Sequence, residues 1–215
     1  MAKNQGPICQ IYLITPPKIE PVAFQETLSS ALDADNVGAF QLRLKCVSDD
    51  EIKRAVEILL PVTSCYGVPF IMNDRPDLAA VTGCDGVHIG QNDCDYGTAR
   101  ALLGKDRIIG VTCHNSRHLA MVAGERGADY VAFGAFFDTS TKATHYIAEP
   151  KILSWWTETM LIPVVAIGGI TLQNCPPIVR AGSDFIAVIS AVWDHPLGAA
   201  KAVIEFNKVI TAHSR

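Results

Sequence analysis

No apolar stretch in this chain approaches the roughly 20 residues that a membrane-spanning helix needs. The opening Met1-Ala-Lys-Asn-Gln-Gly-Pro7 also lacks the long apolar core of a secretory signal. Lysines and arginines are scattered without a run, and 18 of them against 22 acids leave a formal net charge of −4. That balance gives no general attraction to nucleic acid or to an anionic membrane. The seven cysteines (Cys9, Cys46, Cys65, Cys84, Cys94, Cys113 and Cys175) include no CxxC pair. An odd, dispersed set suits neither a zinc site nor a secreted disulfide framework, so they read as reduced thiols, mostly buried as small hydrophobes. No linker or low-complexity tract divides the 215 residues, of which 49% are hydrophobic. The expectation is one cytoplasmic domain with a large core.

What is present is a rhythm. Short β-branched apolar runs recur at Ile11–Ile14, Ala39–Leu42, Pro69–Met72, Gly86–Ile89, Ile108–Val111, Tyr130–Phe133, Val164–Ile167 and Phe185–Ile189. Each is nearly continuous in apolar residues, as expected of parallel strands buried on both faces. Between them the period lengthens towards that of a helix. Pro21–Leu32, the stretch from Asp49 with its three leading acids, Asp77–Val81, Tyr96–Leu103, Ser116–Gly124, Ile152–Thr159, Leu172–Arg180 and Leu197–Ile210 fill the gaps. Gly83, Gly127 and Gly182 follow helices and precede strands, where a left-handed cap turns the chain. Eight such alternations predict an α/β fold, a (βα)8 TIM barrel in a single domain, with its core over about residues 11–210. An open doubly wound sheet is the alternative. It would more often carry a Gly-rich fingerprint after the first strand, where this chain has Thr15-Pro-Pro-Lys18.

In a barrel the chemistry collects at the carboxyl ends of the strands. The second strand ends in Gln41-Leu-Arg43-Leu-Lys45, and period two puts its amide and two cations on one side, a socket for a dianion unless this is simply a solvated strand end. The third ends in Asn73-Asp74 and the fourth in His88-Ile-Gly-Gln91-Asn92-Asp93. Asp74 and Asp93 top neighbouring strands and can share a hard cation. Oxygen ligands beside a phosphate site favour Mg2+, although a lone Asp after a strand is more often a helix cap. His88 reads as a hydrogen-bonded core residue. After the fifth strand Thr112 can donate to an anion, while His114 either caps or lies in the loop. The sixth leads into the longest connection, Gly134 to Lys142, a hydroxyl-rich lid or else an idle surface loop. Gly168-Gly169 after the seventh offer backbone N–H groups at a helix start, and Ile189-Ser190-Ala191 after the eighth add more. Phosphate sites after strands seven and eight recur in this fold.

Taken in order, Gln41-x-Arg43-x-Lys45, Asn73-Asp74, Asp85-Gly-Val-His-Ile-Gly-Gln-x-Asp93, Gly127-Ala-Asp-Tyr, Thr139-x-Thr141-Lys142, Val165-Ala-Ile-Gly-Gly-Ile and Val188-Ile-Ser-Ala191 resemble the thiamine phosphate synthase family, from about Ile11 to Trp193. The resemblance implies a transferase of thiamine biosynthesis. It joins hydroxymethylpyrimidine diphosphate to hydroxyethylthiazole phosphate, releasing pyrophosphate and giving thiamine phosphate. In that family the electron-rich pyrimidine stabilises a carbocation-like intermediate, so no strong protein base or nucleophile is required. By the same resemblance Gln41, Arg43, Lys45, Asn73 and Lys142 hold the diphosphate, and Asp74 and Asp93 bind Mg2+. Thr139, Thr141, Gly169, Ile189 and Ser190 meet the thiazole phosphate. Thr112 stands where the family usually has Ser, and joins Arg43, Lys45 and Lys142 as the groups expected at the reacting centre. Two departures fall at the lid: Gly134-Ala135 replaces Gly-Pro, and the stretch after Lys142 lacks the family's basic, glycine-rich character.

Two other functions compete. A thiazole tautomerase on a similar scaffold would use a His just before the lid, where this chain has Ala135, and tends to lose the pattern that Gln91-Asn-Asp93 keeps. A non-catalytic barrel binding thiazole phosphate or thiamine phosphate would not need the two aspartates. The expected partners are phosphorylated small molecules. A homo-oligomer through Trp155-Trp156 and the C-terminal helix is possible on sequence, as is plain buried packing.

Overall fold

The computed structural model describes residues 9–139 and 146–214. Eight strands, β1 (Gln10–Ile14), β2 (Val37–Leu42), β3 (Phe70–Asn73), β4 (Gly86–Ile89), β5 (Ile108–His114), β6 (Tyr130–Gly134), β7 (Val164–Ile167) and β8 (Phe185–Val188), pair in parallel and in chain order. β8 closes back on β1. The connections are helical: α1 (Pro21–Ala34), α2 (Asp49–Cys65), α3 (Pro76–Thr82), α4 (Tyr96–Leu103), α5 (Arg117–Glu125), α6 (Lys151–Thr159), α7 (Pro176–Arg180), α8 (Ser190–Trp193) and α9 (Ala199–His213). The chain is therefore a (βα)8 barrel. No helix among the described residues is long and apolar enough to cross a membrane.

Strand alternation sorts the core into two layers. Ile11, Leu13, Phe40, Phe70 and Phe133 face outward and meet the helices, with Trp156 of α6 wholly buried among them. Tyr12, Ile14, Ala39, Ile71, Tyr130, Ala132, Val165 and Ala187 fill the barrel interior. Trp156 is thus core, its indole N–H donating to the Ile162 carbonyl at 2.7 Å, and Arg117 stacks over the neighbouring Trp155 ring at 4.6 Å.

The amino-terminal rim is closed by a repeated device. The carboxylates of Asp85, Asp129 and Asp184, each just before an even-numbered strand, accept the N–H groups of Phe70, Ile109 and Val164 at 2.7, 2.8 and 2.8 Å. Each aspartate's own N–H returns a bond to the carbonyl of the same residue. The glycine two residues earlier takes the left-handed conformation expected of it, with φ of 79°, 92° and 94° at Gly83, Gly127 and Gly182.

The short helix α8 has no counterpart in the sequence expectation, and two further differences fall at the carboxyl ends of strands. β5 runs on through His114, because its end is bonded to β6 across a register shift between Thr112 and His114. The seventh helix begins only at Pro176, not Leu172. The Asn174 side chain accepts from the Thr171 N–H at 2.7 Å and donates to the Gly169 carbonyl at 2.8 Å, holding the preceding residues in a turn. Pro176 then takes the first helical position, where its missing N–H costs nothing.

Candidate active site

All three non-glycine residues with positive φ among those described, Cys46 (58°), Asp74 (64°) and His114 (53°), lie at or just beyond the carboxyl ends of strands. Backbone of this kind is retained where the surroundings over-determine it, commonly at functional sites. At Asp74 the N–H donates to the His88 carbonyl at 2.8 Å, which turns the chain sharply after β3.

The Asp74 carboxylate is the hub of one cluster. Lys45 Nζ lies 2.5 Å from Asp74 Oδ2, and the side chains of Asn73 and Asp93 also hydrogen-bond to Asp74. Asp93 accepts the Gly90 N–H at 2.9 Å, which fixes its carboxyl towards Asp74. The two carboxyls cannot both be charged cheaply at this separation. Burial works against the Asp74 charge, but the bonds from Lys45, Asp93 and Asn73 hold its pKa below the ordinary value. Asp93 moves the other way, raised by burial and by the Asp74 carboxylate beside it. No cluster of three or more His, Cys, Asp or Glu ligands occurs among the described residues. A pair of carboxylates suits a cation that draws its remaining oxygens from water and a substrate phosphate, as Mg2+ does.

Beside this cluster stands Arg43. Its N–H donates to Thr15 Oγ1 at 2.8 Å, anchoring the chain just past β2. Its guanidinium is half-buried, and desolvation lowers its pKa although Asp74 nearby opposes the shift. Arg43 Nη1 is buried with no hydrogen-bond partner, and no other described side chain has such an atom. An orphaned guanidinium N–H costs about 1–3 kcal/mol or more, so the position makes physical sense as half of an anion site.

Gln41, expected beside Arg43 in the open socket, lies deeper. It is 3% exposed, and its Nε2 donates to Tyr12 Oη at 2.9 Å inside the barrel. Thr112 is half-buried at the far side, 2.7 Å from His88 Nε2, and its carbonyl accepts from Gln91 Nε2 at 2.5 Å. His88 is hydrogen-bonded through both ring nitrogens, as a core histidine would be.

On the opposite side of the same rim, β6 continues into the segment that leads to Thr139. Phe136 and Phe137 donate to the carbonyls of Ile167 and Gly168 at 3.1 Å each, so this segment runs along the end of β7. A methyl group on Gly169 (φ 64°) would sit 2.3 Å from the Asp138 carbonyl oxygen, so only glycine permits this approach. Among the described residues no hydrogen bond uses the N–H groups of Gly169 or Ser190. Ser190 is exposed and opens α8, directly after Ile189. Thr139 is the last described residue of this segment, and Thr141 and Lys142 lie outside the described residues. The far stem returns at Tyr146, whose ring stacks on His114 at 4.5 Å. Ala135, buried against β7, presents a methyl where a tautomerase would need an imidazole.

Comparison with known proteins agrees with this arrangement. Residues 11–192 match the family model for thiamine monophosphate synthase. A thiamine-phosphate synthase of Rhodospirillum centenum is 60% identical over 94% of this chain and 98% of its own length. One from Hyphomonas neptunium is 48% identical over 94% and 93%. This chain belongs to the thiamine monophosphate synthase family. Among solved structures, thiamine phosphate pyrophosphorylase from Pyrococcus furiosus superposes with a TM-score of 0.83, at 31% identity over 96% of this chain and 97% of that one. The family-like residues from Gln41 to Lys45, Asn73-Asp74, Gln91 to Asp93, Gly168-Gly169 and Ile189-Ser190 lie at the carboxyl-terminal rim, whereas Asp85 and Gly127-Ala-Asp129 belong to the clamps of the amino-terminal rim. Sequence reading missed Tyr12, Tyr130 and Thr15. A phenol embedded in an otherwise aliphatic buried strand, as in Ile11-Tyr-Leu-Ile14, was the available signal, since a buried hydroxyl must find a partner.

Proposed function

We propose that this chain is a thiamine phosphate synthase, joining hydroxymethylpyrimidine diphosphate to hydroxyethylthiazole phosphate with loss of pyrophosphate. One observation carries the site assignment: the orphaned Arg43 Nη1 beside the Lys45–Asp74–Asp93 cluster. That grouping supports a site for a polyanion and a hard cation together, which an isomerase or a simple thiazole phosphate binder would not require. Arg43, Lys45, Asn73 and Lys142 hold the diphosphate in this reading, with Gln41 beneath them. Asp74 and Asp93 hold Mg2+, which when bound neutralises charge developing on the leaving group. Gly169, Ile189 and Ser190, with Thr139 and Thr141, receive the thiazole phosphate on the opposite side of the rim.

The chain's own residues then do three things. The cations grip the diphosphate and favour its departure from the pyrimidine methylene. The second half of the rim brings the thiazole nitrogen to the vacated carbon, where proximity replaces any need for a protein nucleophile. Water exclusion falls in this reading to the lid expected over Gly134 to Lys142, whose residues 140–142 lie outside the described ones. We read residues 11–210 as one catalytic barrel domain acting in the cytoplasm, and leave α9 as the face for any self-association. Arg43→Lys keeps the charge but loses the fork that meets a phosphate in two places. It is expected to raise KM for the pyrimidine diphosphate at least tenfold, about the value of one charge-assisted hydrogen bond, and leave binding of the thiazole phosphate unchanged. An unaltered KM would remove Arg43 from the diphosphate site.

A further inference from the structure

A continuous file of buried polar groups crosses the barrel interior beneath the site. Gln41 Nε2 meets Tyr12 Oη at 2.9 Å, Tyr12 Oη meets Tyr130 Oη at 2.9 Å, Tyr130 Oη meets His88 Nδ1 at 2.9 Å, and His88 Nε2 meets Thr112 Oγ1 at 2.7 Å. Space for it is built in. A methyl on Gly110 would lie 1.9 Å from the Tyr130 ring, so the glycine in β5 is what lets that phenol lie across the barrel. The Tyr130 ring also stacks on His88 at 5.6 Å between centroids, and meets Tyr12 edge-on at 6.0 Å.

Proton counting gives the file a direction. An amide N–H can only donate, so Tyr12 Oη accepts from Gln41, and because Tyr12 is buried and Tyr130 Oη is its one other hydrogen-bond partner among the described residues, its proton goes to Tyr130 rather than being left unsatisfied. Tyr130, having accepted, spends its own on His88 Nδ1. A neutral imidazole that accepts at Nδ1 carries its proton on Nε2, and that proton points at Thr112 Oγ1. The threonine hydroxyl, already an acceptor, keeps its own proton for something else, and among the described residues no hydrogen bond of Thr112 Oγ1 uses it. Burial raises both phenol pKa values well above the ordinary value, so each tyrosine stays a donor.

We propose that His88, held by Tyr130 as the Nε2–H tautomer, is a positioning residue that makes the Thr112 hydroxyl a hydrogen-bond donor to an acceptor atom of the substrate. The acceptor is a ring nitrogen or a phosphoryl oxygen, either of which the pyrimidine diphosphate supplies. This rests on the synthase reading for what lies above Thr112, but the tautomer does not depend on it. A file running the other way would put the proton on Nδ1, and Thr112 would then spend its own proton on the bare Nε2, leaving only acceptor lone pairs for the substrate.

Nitrogen-15 NMR of the folded full-length chain, labelled on histidine, separates the two. The His88 signals are identified by their loss in His88→Gln or, should that variant not fold, by backbone assignment. A pyridine-like Nδ1 with a protonated, pyrrole-like Nε2 is expected. A proton on Nδ1, or on both nitrogens, overturns the proposal whether or not the protein turns over substrate. Tyr130→Phe removes the donor to Nδ1 and is expected to mix the tautomers and lower kcat/KM about tenfold, the worth of one misdirected hydrogen bond. Thr112→Ser should retain most of the turnover, whereas Thr112→Val, equal in shape but without the donor, should lose it about as much as Tyr130→Phe. Full activity in Thr112→Val also overturns the proposal. A protein that makes no thiamine phosphate at all, yet shows the Nε2–H tautomer, would count against the synthase reading alone.

Discussion

At the scale of single residues, the site is defined by charges held in unfavourable places. Asp93 is a case where the sign can be worked out. Its carboxyl binds a proton more tightly in the folded protein than in the unfolded chain, because burial and the Asp74 carboxylate raise its pKa. Stability is therefore lost as pH rises through that raised value, and the penalty persists at neutral pH in the absence of a cation. Asp93→Asn is expected to raise the Tm of the metal-free protein at neutral pH, abolish Mg2+-dependent turnover and remove any stabilisation by Mg2+. Thermal melts with and without Mg2+ check this, and a variant still stabilised by the ion would contradict the assignment. Gly169 tests the opposite side of the rim. Gly169→Ala would bring a methyl to 2.3 Å from the Asp138 carbonyl oxygen. We expect a higher KM for the thiazole phosphate, with the pyrimidine diphosphate affected much less, in steady-state kinetics that vary each substrate.

At the scale of elements, the account rests on how strands begin and end. The aspartate clamps at Asp85, Asp129 and Asp184 belong to the stability of the barrel and lie at the face away from the chemistry. Asp129→Ala leaves the Ile109 N–H without its side-chain acceptor and is expected to cost about 1–3 kcal/mol in denaturant unfolding. Activity measured at a temperature where the variant is folded should be close to that of the parent. The strands were legible because burial on both faces leaves nearly unbroken apolar runs, and the glycine caps because a left-handed turn tolerates little else. Other features had no local signature. The delayed start of α7 depends on Asn174 reaching back to Gly169 and Thr171. The bond between Tyr12 and Tyr130 joins residues 118 positions apart, so only barrel closure reveals it. Arg43, Lys45, Asp74 and Asp93 could be listed from sequence, but the orphaned Nη1 and the opposed pKa shifts exist only once the strands are neighbours.

At the scale of the whole molecule, the proposed function divides the carboxyl-terminal rim of the barrel into two anion-binding halves. β2 to β4 present cations and paired carboxylates, while β7 and β8 present glycine and serine amides. The Gln41–Thr112 file runs beneath the site from β2 to β5. Two halves of unlike chemistry facing one opening suit the joining of two phosphorylated molecules better than the binding of one. The direct measurement is to incubate the purified chain with hydroxymethylpyrimidine diphosphate, hydroxyethylthiazole phosphate and Mg2+, and to quantify thiamine phosphate and pyrophosphate. The account predicts both products in equal amounts, and neither when Mg2+ or either substrate is withheld. Tight binding of the thiazole phosphate with no product in the complete mixture would contradict it.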